Sequence, residues 1–180
     1  MKYFITGSTG YIGNELTKKL LTCSYPVHLL VRSEAKAASL QHSLVKVFTG
    51  NITDYGAVER AMAGCSNVFH LAALAKSGEK RRASFDEINI GGTGNVLKAA
   101  LTLGVKWVVF TSSAGVLKLS GELESILEES GYSEKYFEDF IRTKATADRL
   151  CAEYVKKGLD IVIVLPSRFM VRESSAKVMR

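Results

Sequence analysis

Several things are scarce in this 180-residue sequence, and each scarcity excludes something. Cysteine occurs three times, at Cys23, Cys65 and Cys151, an odd number without the close pairing of a zinc site, which argues against a disulfide framework and against a cysteine metal centre. The three histidines, His28, His42 and His70, are equally scattered, so no metal site is expected. Only two prolines occur, Pro26 and Pro166, and with no internal repeat or low-complexity stretch nothing marks a linker. One domain over residues 1–166 is expected, followed by an irregular tail at 167–180. No apolar run approaches the roughly 18 residues of a membrane span, and the Met1–Ile5 run leads into glycines rather than a cleavage site. The chain therefore reads as untargeted and cytoplasmic, with no membrane partner.

The formal charge is +6, from 24 basic and 18 acidic residues. The bases are interleaved with acids along the whole chain, and the densest run, Lys76 to Arg82, is short and reads as a solvated loop. Nucleic acid is not an expected partner.

What is present is alternation. Apolar, β-branched runs at Tyr3–Ile5, Val27–Val31, Val45–Phe48, Val68–Leu71, Trp107–Phe110 and Ile161–Leu165 read as six short buried strands. Helical patterns lie between them at 12–22, 35–41, 54–63, 84–103 and 134–157. Unbroken apolar strands joined by crossover helices imply a parallel sheet covered on both faces, an α/β doubly wound parallel sheet of the Rossmann type with about six strands.

The first strand runs into Thr6-Gly7-Ser8-Thr9-Gly10-Tyr11-Ile12-Gly13, after which an amphipathic helix begins. At a strand-to-helix turn three glycines have distinct uses. Gly7 permits the tight turn, Gly10 lets the backbone approach a pyrophosphate, and Gly13 lets the helix pack closely on the sheet. The helix N-terminus adds free N–H groups and partial positive charge for phosphates, so Gly7, Ser8, Thr9, Gly10, Tyr11, Ile12 and Gly13 are candidate cofactor-binding residues. An NAD site places a carboxylate on the ribose 2′-hydroxyl about 20 residues on. Here Arg32 and Ser33 follow the second strand instead, a guanidinium and a hydroxyl that suit a 2′-phosphate. NADPH is thus expected in preference to NADH, with Glu34 the one nearby carboxylate.

Five landmarks in order resemble the extended short-chain dehydrogenases/reductases, the NAD(P)-dependent epimerases, dehydratases and dihydroflavonol-reductase-like carbonyl reductases. They are TGSTGYIG at the cofactor loop, GNITD at 50–54, HLAAL at 70–74, INIGGTGNVLKAA at 88–100 and FTSSAGV at 110–116. The resemblance implies that Asn51 and Ile52 flank the adenine, that Ala72 and Ala73 line the cofactor groove, and that Asn89 kinks its helix. It implies Ser113 as the substrate-orienting serine, with Ser112 beside it, and Lys144 as the lysine that holds the nicotinamide ribose and assists the acid. The family's general acid, a tyrosine four residues before that lysine, is here Phe140, which has no proton to give. Tyr136 and Tyr132 lie on the N-terminal side as distant substitutes.

Similar sequences continue into a C-terminal substrate domain, and the sequence given stops at Arg180, so a shortened form of the family is expected. Helical segments 84–103 and 134–157 occupy the positions that pair into a family dimer, implying a homodimer. Three functions follow: an NADPH-dependent oxidoreductase or epimerase acting on a small molecule, a non-catalytic NADPH-binding module, and a remnant without independent function.

Overall fold

The computed structural model describes residues 1–75, 82–117 and 138–167. The tail from 168, most of the basic run at 76–82, most of the 116–132 loop, and both Tyr132 and Tyr136 lie outside the described residues.

Six strands form one sheet: β1 (Tyr3–Thr6), β2 (Val27–Val31), β3 (Val45–Thr49), β4 (Asn67–His70), β5 (Trp107–Thr111) and β6 (Ile161–Val164). Every neighbouring pair is parallel, in the order β3-β2-β1-β4-β5-β6, with Tyr3 opposite both Val27 and Asn67. β1 and β2 are buried at every position because both faces are covered. β3 and β6 are the edges, and on β6 Val162 and Val164 remain 57% and 44% exposed.

Successive strand residues point to opposite faces, which makes two cores. Phe4, Val68, Val108 and Phe110 pack against α2 (Tyr55–Met62), α4 (Gly92–Thr102) and α5 (Asp139–Lys156). Tyr3, Ile5, Leu29 and Val31 pack with Leu20 of α1 (Tyr11–Thr22) and with Ala37 and Leu40 of a 3-10 helix, Glu34–Leu40. A right-handed βαβ crossover places successive helices on one face, and reversing the winding after β3 fills the other.

The segment expected as one helix over 84–103 is three pieces: α3 (Arg82–Phe85), a π-helical turn (Asp86–Gly91) and α4. Apolar periodicity cannot register one extra residue in a turn, whereas the side chain of Asn89 bonding out of the helix can produce it. The expected 35–41 helix is of the tighter 3-10 kind. The winding reverses between β1 and β4, the place where a parallel α/β sheet forms a crevice outside the carboxyl ends of its strands.

Candidate functional site

A groove of about 410 Å³ lies over the carboxyl ends of β1, β2 and β4. Its floor is the turn after β1, with Gly7, Thr9 and Gly10. Gly7 has φ +75°, a conformation that disfavours a side chain, and a β-carbon there would come within 2.7 Å of the Ala72 nitrogen. Gly13 is packed against the backbone of Gly7 and Ser8 with no room for a β-carbon. The loop is therefore held backbone to backbone against the end of β4 on one side and the first turn of α1 on the other, with no room for a side chain at either position. No side chain caps α1 behind it, so the first-turn N–H groups and the helix dipole remain for an anion. These features fit a dinucleotide pyrophosphate.

At one end of the groove stand Arg32, Ser33 and Lys36, with Gly50, Asn51 and Ile52 beside them. Lys36 was missed in the sequence: it lies four residues after Arg32 on the 3-10 turn that Ser33 opens, and spacing alone does not show that it lines the groove. Glu34 does not line the groove; its carboxylate accepts from the Thr49 hydroxyl at 3.1 Å. Asn51 accepts from the Thr53 N–H at 3.3 Å, and Asn95 donates to the Ile52 carbonyl at 2.9 Å, fixing the turn after β3. At the other side Leu71, Ala72, Ala73, Leu74 and Ile88 supply the wall.

The structure thus brings Gly7, Thr9, Gly10, Arg32, Ser33, Asn51, Ile52, Ala72 and Ala73 to one groove. It does not bring in the rest. Ser8 is buried within the loop and Gly13 in the first turn of α1, where Tyr11 and Ile12 are half-buried.

Ser113 and Lys144 lie outside this groove, at the neighbouring carboxyl end of β5. Ser113 opens a short 3-10 turn, Ala114–Val116, and its Oγ accepts from the Gly115 N–H at 3.3 Å. Ser112 is buried and donates to Asp148 at 2.9 Å. Lys144 is 3% exposed, its Nζ 4.2 Å from the centre of the Phe110 ring. Loss of hydration lowers its pKa to about 8, against the opposing pull of Asp148 and Cys151. Phe140 is half-buried in the first turn of α5.

Between the two groups runs a buried polar chain. The Ala72 N–H donates to Thr6 Oγ1 at 3.2 Å, and Thr6 lies 2.6 Å from His70 Nδ1. His70 Nε2 is 2.9 Å from Thr93 Oγ1, which donates to the Asn89 carbonyl at 2.6 Å. Asn89 pairs with both N–H and C=O of Leu74, at 2.7 and 3.1 Å, and donates to Thr143 at 2.9 Å.

The sequence pattern of the NAD dependent epimerase/dehydratase family matches residues 3–175. The chain is 32% identical over 166 residues to a 4-hydroxy-2-methyl-3-oxo-4-farnesyl-3,4-dihydroquinoline-1-oxide ketoreductase of Stigmatella aurantiaca, across 92% of this chain and 49% of that protein. It is 27% identical over 183 residues to a bifunctional dihydroflavonol 4-reductase/flavanone 4-reductase of Pyrus communis, across 91% and 52%. Among solved structures, the complex of a Thermus thermophilus UDP-glucose 4-epimerase with NAD matches with a TM-score of 0.81 at 26% identity, across 92% of this chain and 54% of that one. The chain spans about half the length of these relatives.

Proposed function

Because the chain belongs to the NAD dependent epimerase/dehydratase family, an NAD-binding family, we propose that its groove holds NADPH and that its chemistry is reduction of a carbonyl on a small molecule. One observation carries the cofactor reading: Arg32, Ser33 and Lys36 line the same end of the groove, while the adjacent Glu34 is turned to Thr49. Two cations and a hydroxyl suit a 2′-phosphate, and among the described residues no carboxylate lines the groove to repel one. The reductase names carried by the Stigmatella and Pyrus relatives support the reaction class.

When bound, the cofactor supplies hydride. This chain's own part is orientation: the Ser113 hydroxyl for the substrate oxygen, and the Lys144 ammonium for the positive field around it. The proton is the weak point, since Phe140 cannot donate one. This favours a second reading, a protein that holds NADPH without turning it over.

The test of the cofactor reading is titration of the chain with NADPH and NADH. NADPH should bind at least tenfold more tightly, and Arg32→Ala should weaken NADPH by about 10- to 100-fold while leaving NADH unchanged, as expected for losing a charge-assisted pair of about 1.5–3 kcal/mol. Equal binding of the two cofactors would overturn the preference. Phe140→Tyr separates the two functional readings. For the reductase, NADPH oxidation with aldehydes and ketones should rise about 10²-fold or more; background rates in both proteins, with cofactor bound, leave the non-catalytic reading standing.

A further inference from the structure

Direction can be assigned along the buried polar chain by elimination. A carbonyl only accepts, so the single hydroxyl proton of Thr93 is committed to the Asn89 carbonyl at 2.6 Å. Towards His70 Nε2, at 2.9 Å, Thr93 can then only accept, so Nε2 carries a proton. At the other end the Ala72 N–H already donates to Thr6 Oγ1. The Thr6 hydroxyl proton is left for His70 Nδ1, 2.6 Å away, which must offer its lone pair. Every donor has one acceptor only if the ring is neutral with hydrogen on Nε2. His70 is 1% exposed, and the ring of Phe110 is tilted beside it at 5.6 Å.

The two ends of this chain are the groove's wall. Through Thr6 it holds Ala72, whose nitrogen closes against Gly7. Through Thr93 it holds the π-helical turn, which contributes Ile88 to the lining and whose Asn89 clamps Leu74 by both backbone groups. From the same Asn89 a bond reaches Thr143, the residue before Lys144, and Thr143 in turn donates to the carbonyls of Asp139 and Phe140.

We propose that His70, locked as the Nε2–H tautomer, is a positioning residue that sets the Ala72–Leu74 wall of the cofactor groove and its registration with α5. The link to cofactor rests on the reading of the groove given above; the tautomer and the wall do not.

Three measurements on the intact chain test it. Ring ¹⁵N shifts of His70 at pH 7 should show a protonated Nε2 and an unprotonated Nδ1; the opposite tautomer overturns the proposal. Amide hydrogen exchange should show Ala72 and Leu74 at least tenfold faster in His70→Phe than in the native chain, beyond the change at Val108 in the core. Equal changes at all three would make His70 merely structural and would also overturn it. NADPH affinity should fall about tenfold in His70→Phe and recover in part in His70→Gln, whose amide can again donate to Thr93; affinity within twofold of the native chain overturns the link to the groove. Should the native chain bind neither NADPH nor NADH, the cofactor reading fails alone, and the ¹⁵N and exchange results still decide the positioning role. Should His70→Phe not fold, Thr93→Val opens the same chain from its other end and takes its place in the exchange and affinity measurements.

Discussion

A β-carbon on Gly13 would press on the backbone of the cofactor loop, lying 2.7 Å from Ser8 Cα, and backbone in a tight turn cannot give way as a side chain could. Gly64 poses the complementary case. It has φ +72° but open space around it, so alanine there meets conformational strain and no clash. The two substitutions separate the two uses of glycine in one molecule. Gly64→Ala should cost about 1 kcal/mol in urea unfolding and leave nucleotide binding intact. Gly13→Ala should cost about 3 kcal/mol, at the upper end of overpacking penalties, and abolish binding. Similar losses from both would mean that the loop gives way to a side chain on Gly13 and that close packing of α1 on it is not required.

The π-helical turn is held by side-chain bonds from one residue. Asn89 is 2% exposed and makes four hydrogen-bond contributions: three through its amide, to Leu74 twice and Thr143, and one through its carbonyl, from Thr93. Asn89→Ala removes the three amide bonds and leaves the partly buried Leu74 backbone groups without these partners, so the loss should be about 2–3 kcal/mol. Cooperative urea unfolding measures it, and a loss under about 1 kcal/mol would show that the turn stands on packing alone. This turn also marks the limit of what apolar pattern reveals. All six strands fall within one residue of the spans read from β-branched runs, because burial on both faces leaves a continuous apolar signal. The glycine loop was legible for a related reason: a strand-to-helix turn allows few residue types, and Gly7 and Gly10 do lie on the groove. The π turn, the burial of Lys144 and the inclusion of Lys36 were not. Each depends on where a side chain points once distant segments meet, and spacing along one segment does not encode that. Asn89 itself was singled out only through family resemblance, since a polar residue on a helix says nothing by itself of the loop it will clamp.

At the scale of the whole molecule the buried ionisable groups combine into one pH dependence. Burial, with the charge of Lys144 adding to it, lowers the pKa of His70 to about 3, and burial also lowers that of His28. Below pH 6.5 the unfolded chain takes up protons at these histidines more readily than the folded one, so their contribution is complete above 6.5 and is lost as pH falls, for His70 toward 3. His70 alone gives a slope of about 1.4 kcal/mol per pH unit in that window. Lys144 acts in the same sense at higher pH: with its pKa lowered to about 8, mainly by burial, the fold gains stability as pH rises from 8 towards the ordinary lysine value. The thiols oppose this. Burial raises Cys65 to about 11 and Cys151 to about 12, so their contribution is present below pH 9 and is lost above it as the unfolded thiols ionise. Two thiols outweigh one lysine above pH 9, and among the shifts of the described residues none opposes the lysine between about 8 and 9. Stability should therefore peak near pH 9, on the alkaline side of neutrality. Urea midpoints from about pH 5 to 10 measure the curve, and a maximum at or below about pH 7 would contradict it. In His70→Phe the acid limb between about pH 4 and 6 should flatten by about one proton's slope relative to the native chain, and this difference isolates the histidine's part of the limb. An unchanged acid limb would mean that His70 takes up its proton as readily in the folded chain as in the unfolded one, and that the core around it is wet.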